Sequence, residues 1–255
     1  MVSPDLPYLR GIDVSHYQGE IDWEAVACSG VAFAFVKASE GRLQSPQAFQ
    51  DPRFQANAAA LNDLTRQGLA LPWGAYHFAR PQYSAARQAE FFAPLALLAP
   101  LPPALDLEDS GGLTPAGLAS WTLSFLQTLE ALTGRRPILY TNVFYGGQVR
   151  AVAGRCRLWI ANPGAGGAPH PGTAPSMPPG WEAWDFWQYC WRGSVPGING
   201  RVDLNYFRGR QADLQALCAG REPLPALSLQ SLDARLRKVE QALGLLTGGS
   251  ADAAA

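Results

Sequence analysis

Residues 104–109 read Ala-Leu-Asp-Leu-Glu-Asp, "ALDLED". The approach, Leu101 to Leu105, is apolar, and it ends in two carboxylates, Asp106 and Glu108, with Leu107 between them. In an extended strand residues i and i+2 point to the same face. Asp106 and Glu108 therefore project together, and Leu107 projects the other way. An apolar strand ending in two acids on one face suits the mouth of a barrel, where one side of each strand faces a cleft.

Seven other segments have the same form: "RGIDVS" near Asp13, "VAFAFVKAS" (31–39), "LPWGAYHF" (71–78), "RPILYTN" (136–142), "RLWIAN" (157–162), "DFWQY" (185–189) and "VDLNYF" (202–207). Each is a short apolar or β-branched run, the signature of a strand. Nearly all end in polar side chains: Asp13 and Ser15, Lys37 and Ser39, Tyr76 and His77, Tyr140 and Asn142, Asn162, Gln188, Asp203 and Asn205. Helical signals fall between the first five. Asp22 caps a short helix ending near Gly30, residues 47–67 form a longer one closed by Gly68, and Ser84 opens a third. The fourth has Thr114 at its N-cap, Pro115 at N1, Leu118, Trp121, Phe125, Leu129 and Leu132 at helical spacing, and Gly134 as its stop. Alternating strands and helices predict a parallel sheet. Eight strands predict an α/β barrel whose helices thin out after the fifth strand, where a Pro/Gly-rich loop (163–180) begins. In such barrels the C-terminal strand ends carry the site.

The 255 residues suit one α/β barrel, and a hydrophobic fraction of 47% provides a real core. Net charge is −1 with no Lys/Arg cluster, which argues against nucleic acid. No apolar run reaches the ~18 residues of a membrane span. The start, "MVSPDLPYLRG", lacks the pattern of a signal peptide. The expectation is synthesis in the cytoplasm with action after release, or secretion if a leader was removed. Cys28, Cys156, Cys190 and Cys218 show no Cys-x-x-Cys spacing, so zinc is not expected, and the choice between free thiols and bridges stays open. The expected organisation is a barrel over 1–219, a linker at 220–228, an amphipathic or coiled-coil helix at 229–247 and a disordered tail at 248–255. The helix carries Leu229, Leu232, Leu236, Val239, Leu243 and Leu246 at heptad spacing. It packs either on its own barrel or on a second copy, making a homo-oligomer.

Two neighbouring carboxylates raise each other's pKa, and partial desolvation adds to the rise. A carboxyl group then stays protonated near neutral pH and serves as a general acid. Glycoside hydrolysis uses this pairing of one acid and one carboxylate. Asp13 and Asp203, on the first and last strands, are neighbours in a closed barrel and complete a four-carboxylate mouth. Such a cluster also suits Mg²⁺ or Ca²⁺. Lys37 and the nearby aromatics favour a sugar instead, so no metal and no cofactor is expected. Four of the eight tryptophans, Trp181, Trp184, Trp187 and Trp191, lie close together, and two or three aromatics are expected to line the cleft. His77 reads as a satisfied buried residue at least as readily as a catalytic one, and His170 as solvent-exposed.

These eight ordered segments, from "GIDVSHYQGEIDW" to "VDLNYF", together resemble glycoside hydrolase family 25, the Chalaropsis-type lysozymes or N,O-diacetylmuramidases. The resemblance spans about residues 9–218. It implies a flattened TIM-like barrel of eight strands and about five helices, with bacterial peptidoglycan as partner. The implied reaction is cleavage of the β-1,4 bond between N-acetylmuramic acid and N-acetylglucosamine. It implies Glu108 as general acid, Asp106 as its partner carboxylate, and Asp13 and Asp203 as the rest of the acidic floor. Lys37, Tyr76, Tyr140, Trp159 and Gln188 are implied as substrate-side groups. Attack by the substrate's own acetamido oxygen and inversion through an activated water both fit the D-x-E pair. A phage or prophage lysin, or a tail-associated lysozyme, fits the missing leader. The competing readings are a binding-only barrel, a structural phage component built around the heptad helix, and a chitinase-like hydrolase. The last would need further aspartates ahead of the D-x-E, where Leu101–Leu105 stand.

Overall fold

The computed structural model describes residues 8–41 and 49–220. The expected linker, heptad helix and C-terminal tail lie outside the described residues. Nine strands are described: β1 (Leu9–Val14), β2 (Phe33–Glu40), β3 (Phe49–Gln50), β4 (Trp73–Phe78), β5 (Ala104–Leu107), β6 (Ile138–Asn142), β7 (Arg157–Ala161), β8 (Phe186–Gly193) and β9 (Val202–Phe207). They follow the order β1-β9-β8-β7-β6-β5-β4-β2, and pairing of β1 with β2 closes the barrel. The short β3 adds to β2 at Ser39 and Glu40, past the point where β1 has ended.

All neighbours from β1 through β2 and β4 to β8 are parallel, but β9 is antiparallel to both β8 and β1. The fully parallel expectation therefore fails at β9 within the barrel, and at the short β3, which is antiparallel to β2. The link from β8 to β9 is too short for a crossover helix, so the chain can only turn back on itself. The reversal decides where Asp203 goes. It stands at the start of β9, yet it pairs with Asp13 near the end of β1.

Strand alternation separates an inner from an outer face. Along β5, Ala104 and Asp106 face the barrel interior, while Leu105 and Leu107 join the layer under the helices. The interior is packed with Phe33, Phe35, Ile138, Trp159, Phe186 and Phe207. Two glycines make room for these rings. Gly11 pairs with Phe33 and Gly74 with Phe35, and a Cβ added at either glycine would fall within 2.5 Å of the facing ring.

Six α-helices are described: α1 (Trp23–Cys28), α2 (Phe54–Arg66), α3 (Ala85–Ala96), α4 (Pro115–Thr133), α5 (Val143–Gln148) and α6 (Gln211–Cys218). The caps read from sequence at Asp22, Ser84 and Thr114 are present, and Gly134 closes α4 in the left-handed conformation. The helix expected from residue 47 begins only at Phe54. Asp51 precedes Pro52, a position that disfavours helix, and its side chain accepts from the Arg53 N–H at 2.9 Å. No sequence signal placed α5 or α6, and the six described helices exceed the implied five by one. α5 is a single capped turn too short to show periodicity. α6 sends Leu214 and Leu217 into the interior cluster of the barrel. Arg135 donates to carbonyls of Ala99, Leu101 and Leu217, tying α6 to the segment before β5. All four cysteines are free thiols.

Candidate active site

The eight strands that close the barrel, but not β3, each bring side chains to one open cleft of about 220 Å³. Asp13, Lys37, Tyr76, Asp106, Glu108, Tyr140, Trp159, Gln188 and Asp203 all line it, so the residues expected from sequence are brought together without exception. Glu108 lies one residue past β5 and opens to solvent, whereas Asp106 is only 6% exposed. Asp106 Oδ1 has no hydrogen-bond partner among the described residues.

Gln188 organises the floor. Its Oε1 accepts from Tyr140 O–H (2.8 Å) and Trp191 Nε1–H (2.7 Å). Its Nε2 donates to Asp13 Oδ2 (2.9 Å) and Asp203 Oδ2 (3.3 Å). Asn205 also donates to Asp13 Oδ2 (2.7 Å) and accepts from Trp159 Nε1–H (2.8 Å). Sequence reading noted Asn205 only as a strand end. The signal was present, because Asn205 stands two residues from Asp203 and must share its face.

The polar atoms of Tyr140 and Trp159 are thus already engaged, and Trp159 is stacked on Phe35 at 4.3 Å. Both shape the floor more than they reach for a ligand. Trp181, Trp184 and Trp187 belong to the outer core, so of the clustered tryptophans only half-exposed Trp191 bonds to a cleft residue. Several strand-end polar groups also serve the scaffold. Asn142 caps α5, and Asn162 accepts from Ser176 N–H at 2.7 Å.

On the other wall, a β-bulge after Lys37 turns Glu40 toward the lysine. Lys37 Nζ donates to Glu40 at 2.9 Å, and Arg80 Nη2 donates to the other Glu40 oxygen at 2.6 Å. Both cations lie over the Phe78 ring. No sequence periodicity reveals a bulge, so Glu40 and Arg80 were not anticipated. His77 points away from the cleft. Its Nε2–H donates to Gln88 Oε1 (3.0 Å), and its Nδ1 accepts from Ser39 O–H (2.8 Å). Burial pushes its pKa down to about 4, so it is neutral and structural. His170 is half-buried against Trp187, not solvent-exposed as expected.

Electrostatics single out the carboxylates. Desolvation first, and then the like charge of Glu108, push Asp106 well above the ordinary range. Glu108 is also raised, first by desolvation and then by Asp13. Burial lifts Asp13 to about 6 against hydrogen bonds from Asn205 and Gln188 that pull it down. Burial, Asp13 and Glu108 together lift Asp203 to about 8. The cleft therefore holds protons at neutral pH that isolated carboxylates would have lost.

A closed α/β barrel whose mouth gathers proton-holding carboxylates among aromatic side chains has the parts that glycoside cleavage requires. The sequence pattern of "Glycosyl hydrolases family 25" matches residues 12–198, and the chain belongs to that family. Lysozyme M1 of Streptomyces globisporus is 35% identical over 229 residues, covering 84% of this chain and 72% of that protein. The N,O-diacetylmuramidase of Chalaropsis sp is 32% identical over 215 residues, covering 76% and 96%. The crystal structure of the bacterial lysozyme from Streptomyces coelicolor superposes with a TM-score of 0.72 at 33% identity, covering 84% of this chain and 98% of that one.

Proposed function

We propose that this chain is a lysozyme that hydrolyses the β-1,4 bond between N-acetylmuramic acid and N-acetylglucosamine in bacterial peptidoglycan, with Glu108 as general acid and Asp106 as its partner. The observation that carries the assignment of roles is the unequal setting of two coupled carboxyls: Asp106 buried with an unpaired oxygen, Glu108 open at the rim.

In the free cleft the deeper Asp106 is the better place for a shared proton, because charge there is the more costly. An N-acetyl sugar brings an amide N–H that can donate to Asp106. That donor lets the charge settle on Asp106 and leaves the proton on Glu108, beside the leaving oxygen. Glu108 then protonates the glycosidic oxygen as the C1–O bond breaks. The acetamido oxygen, oriented by Asp106, closes onto C1 to form an oxazolinium ring. Water, deprotonated by Glu108, opens that ring and returns the proton. Asp13 and Asp203 form the acidic floor below, and Lys37, Tyr76, Tyr140, Trp159 and Gln188 line the sugar's path.

Purified peptidoglycan digested with wild type and with Glu108→Gln tests this. Wild type is expected to release new N-acetylmuramic acid reducing ends of retained configuration. Glu108→Gln is expected to lose about 10²- to 10⁴-fold in kcat. New N-acetylglucosamine ends would overturn the bond, inverted products would overturn the acetamido route, and full activity in Glu108→Gln would overturn its role.

A further inference from the structure

His16 and Tyr17 take no part in the chemistry above, yet they are held with unusual care. They sit on a single 3₁₀ turn, His16–Gln18, directly after β1. Tyr17 lines the cleft and is 83% exposed. A lone exposed aromatic needs no explanation, but the scaffolding around this one does. Ser15 accepts from the Tyr17 N–H (3.3 Å), and its own N–H donates to Gln18 Oε1 (2.9 Å). Gln18 Nε2 donates across to the Arg201 carbonyl at 3.2 Å. The Tyr17 ring packs against the His16 imidazole with centroids 4.2 Å apart and planes tilted by 35°. His16 is fixed in turn by Asp51, whose Oδ2 accepts from both the His16 N–H (3.0 Å) and Nδ1–H (2.7 Å). Asp51 is 2% exposed. His16 Nε2 has no partner among the described residues.

We propose that Tyr17 is the stacking platform of an outer sugar subsite, and that Asp51 and His16 are positioning residues that hold its ring and offer Nε2 to the same sugar. The ligand class is a β-1,4-linked N-acetylated glycan longer than the two sugars flanking the broken bond. The proposal rests on the lysozyme reading. Barrel order places β1 three strand spacings from β5, roughly 14 Å around the wall at about 4.8 Å each. Tyr17 lines the same cleft as Asp106 and Glu108 but from the far side of the barrel mouth, and a sugar stacked on it extends the glycan beyond the pair at the broken bond. An aromatic face with adjacent hydrogen-bonding groups suits a pyranose, which has an apolar C–H face and a polar rim. Phe49, 6.2 Å from the His16 ring, borders the same corner.

The test is steady-state kinetics of the full chain on peptide-free glycan strands of two sizes: long strands and the shortest strand that wild type cleaves. Tyr17→Ala is expected to raise KM about tenfold on long strands, equivalent to about 1.4 kcal/mol, with kcat unchanged and no effect on the shortest strand. Tyr17→Phe is expected to restore the wild-type KM, and His16→Ala to raise it on long strands only. An unchanged KM in Tyr17→Ala on long strands, an equal loss on both sizes, or a fall confined to kcat would each overturn the platform. If wild type cleaves neither strand, the lysozyme reading fails and calorimetric binding of long strands decides the subsite alone. A tenfold weaker Kd for Tyr17→Ala then upholds it, and an equal Kd removes it.

Discussion

Asp203 carries a pKa of about 8 in the fold, for reasons of burial and of like charge at Asp13 and Glu108. In an unfolded chain it titrates near 3.9. Between those values the folded protein binds a proton that the unfolded chain has released, so stability falls as pH rises through the window. Asn at this position removes the penalty and keeps an oxygen for the Gln188 amide. Asp203→Asn is therefore expected to melt above wild type at pH 8, by about 2–4 °C for each kcal/mol relieved. The gap should close as the pH approaches 4, while lytic activity is reduced. Melting scans across pH 4–8 check this, and a gap that widens toward acid would contradict the assigned direction. Carboxylates selected for chemistry are here expected to work against the fold that holds them.

At the scale of the element, α3 and β4 are joined by a buried polar knot behind the cleft wall. Gln88 of α3 accepts from His77 Nε2–H and from the Arg80 N–H (3.1 Å), and donates to the Arg80 carbonyl at 2.9 Å. Arg80 in turn pairs with Glu40, the partner of Lys37. One glutamine thus fixes the backbone from which the basic side of the cleft is built. Gln88→Leu keeps the volume roughly constant but strands buried donors and acceptors, at a cost of about 1–3 kcal/mol. Its melting temperature is expected to fall by several degrees, with Lys37-side binding weakened and KM raised. A variant as stable as wild type would show that the knot is dispensable.

Across the whole molecule, the barrel is closed around rings too large for eight identical walls. Gly11 and Gly74 give up their side chains at the positions paired with Phe33 and Phe35. A Cβ at Gly74 would lie 2.5 Å from the Phe35 ring, which is stacked on Trp159 under the cleft floor. Gly74→Ala is expected to cost about 1–3 kcal/mol through overpacking. The strain passes through Trp159 to Asn205 and Asp13, so activity should fall along with the melting point. Thermal melts and peptidoglycan turnover on the same preparation measure both, and unaltered values in both would refute this account of closure.

The sequence alone determined the eight strands of the barrel and the main helix caps, because period-two alternation and capping chemistry are local. It also placed Asp106 beside Glu108, since neighbours at i and i+2 share a face in any strand. What lay beyond it was non-local. The reversal of β9 sets Asp203 opposite Asp13, and it follows from a connection too short to cross over. The bulge after Lys37 brings in Glu40 and Arg80 by shifting the strand register. The Gln188 and Asn205 amides find their partners up to 192 residues away in the chain. Local periodicity gives the direction of a side chain. Only closure of the barrel decides which charges meet, and the burial that follows sets how many protons they keep.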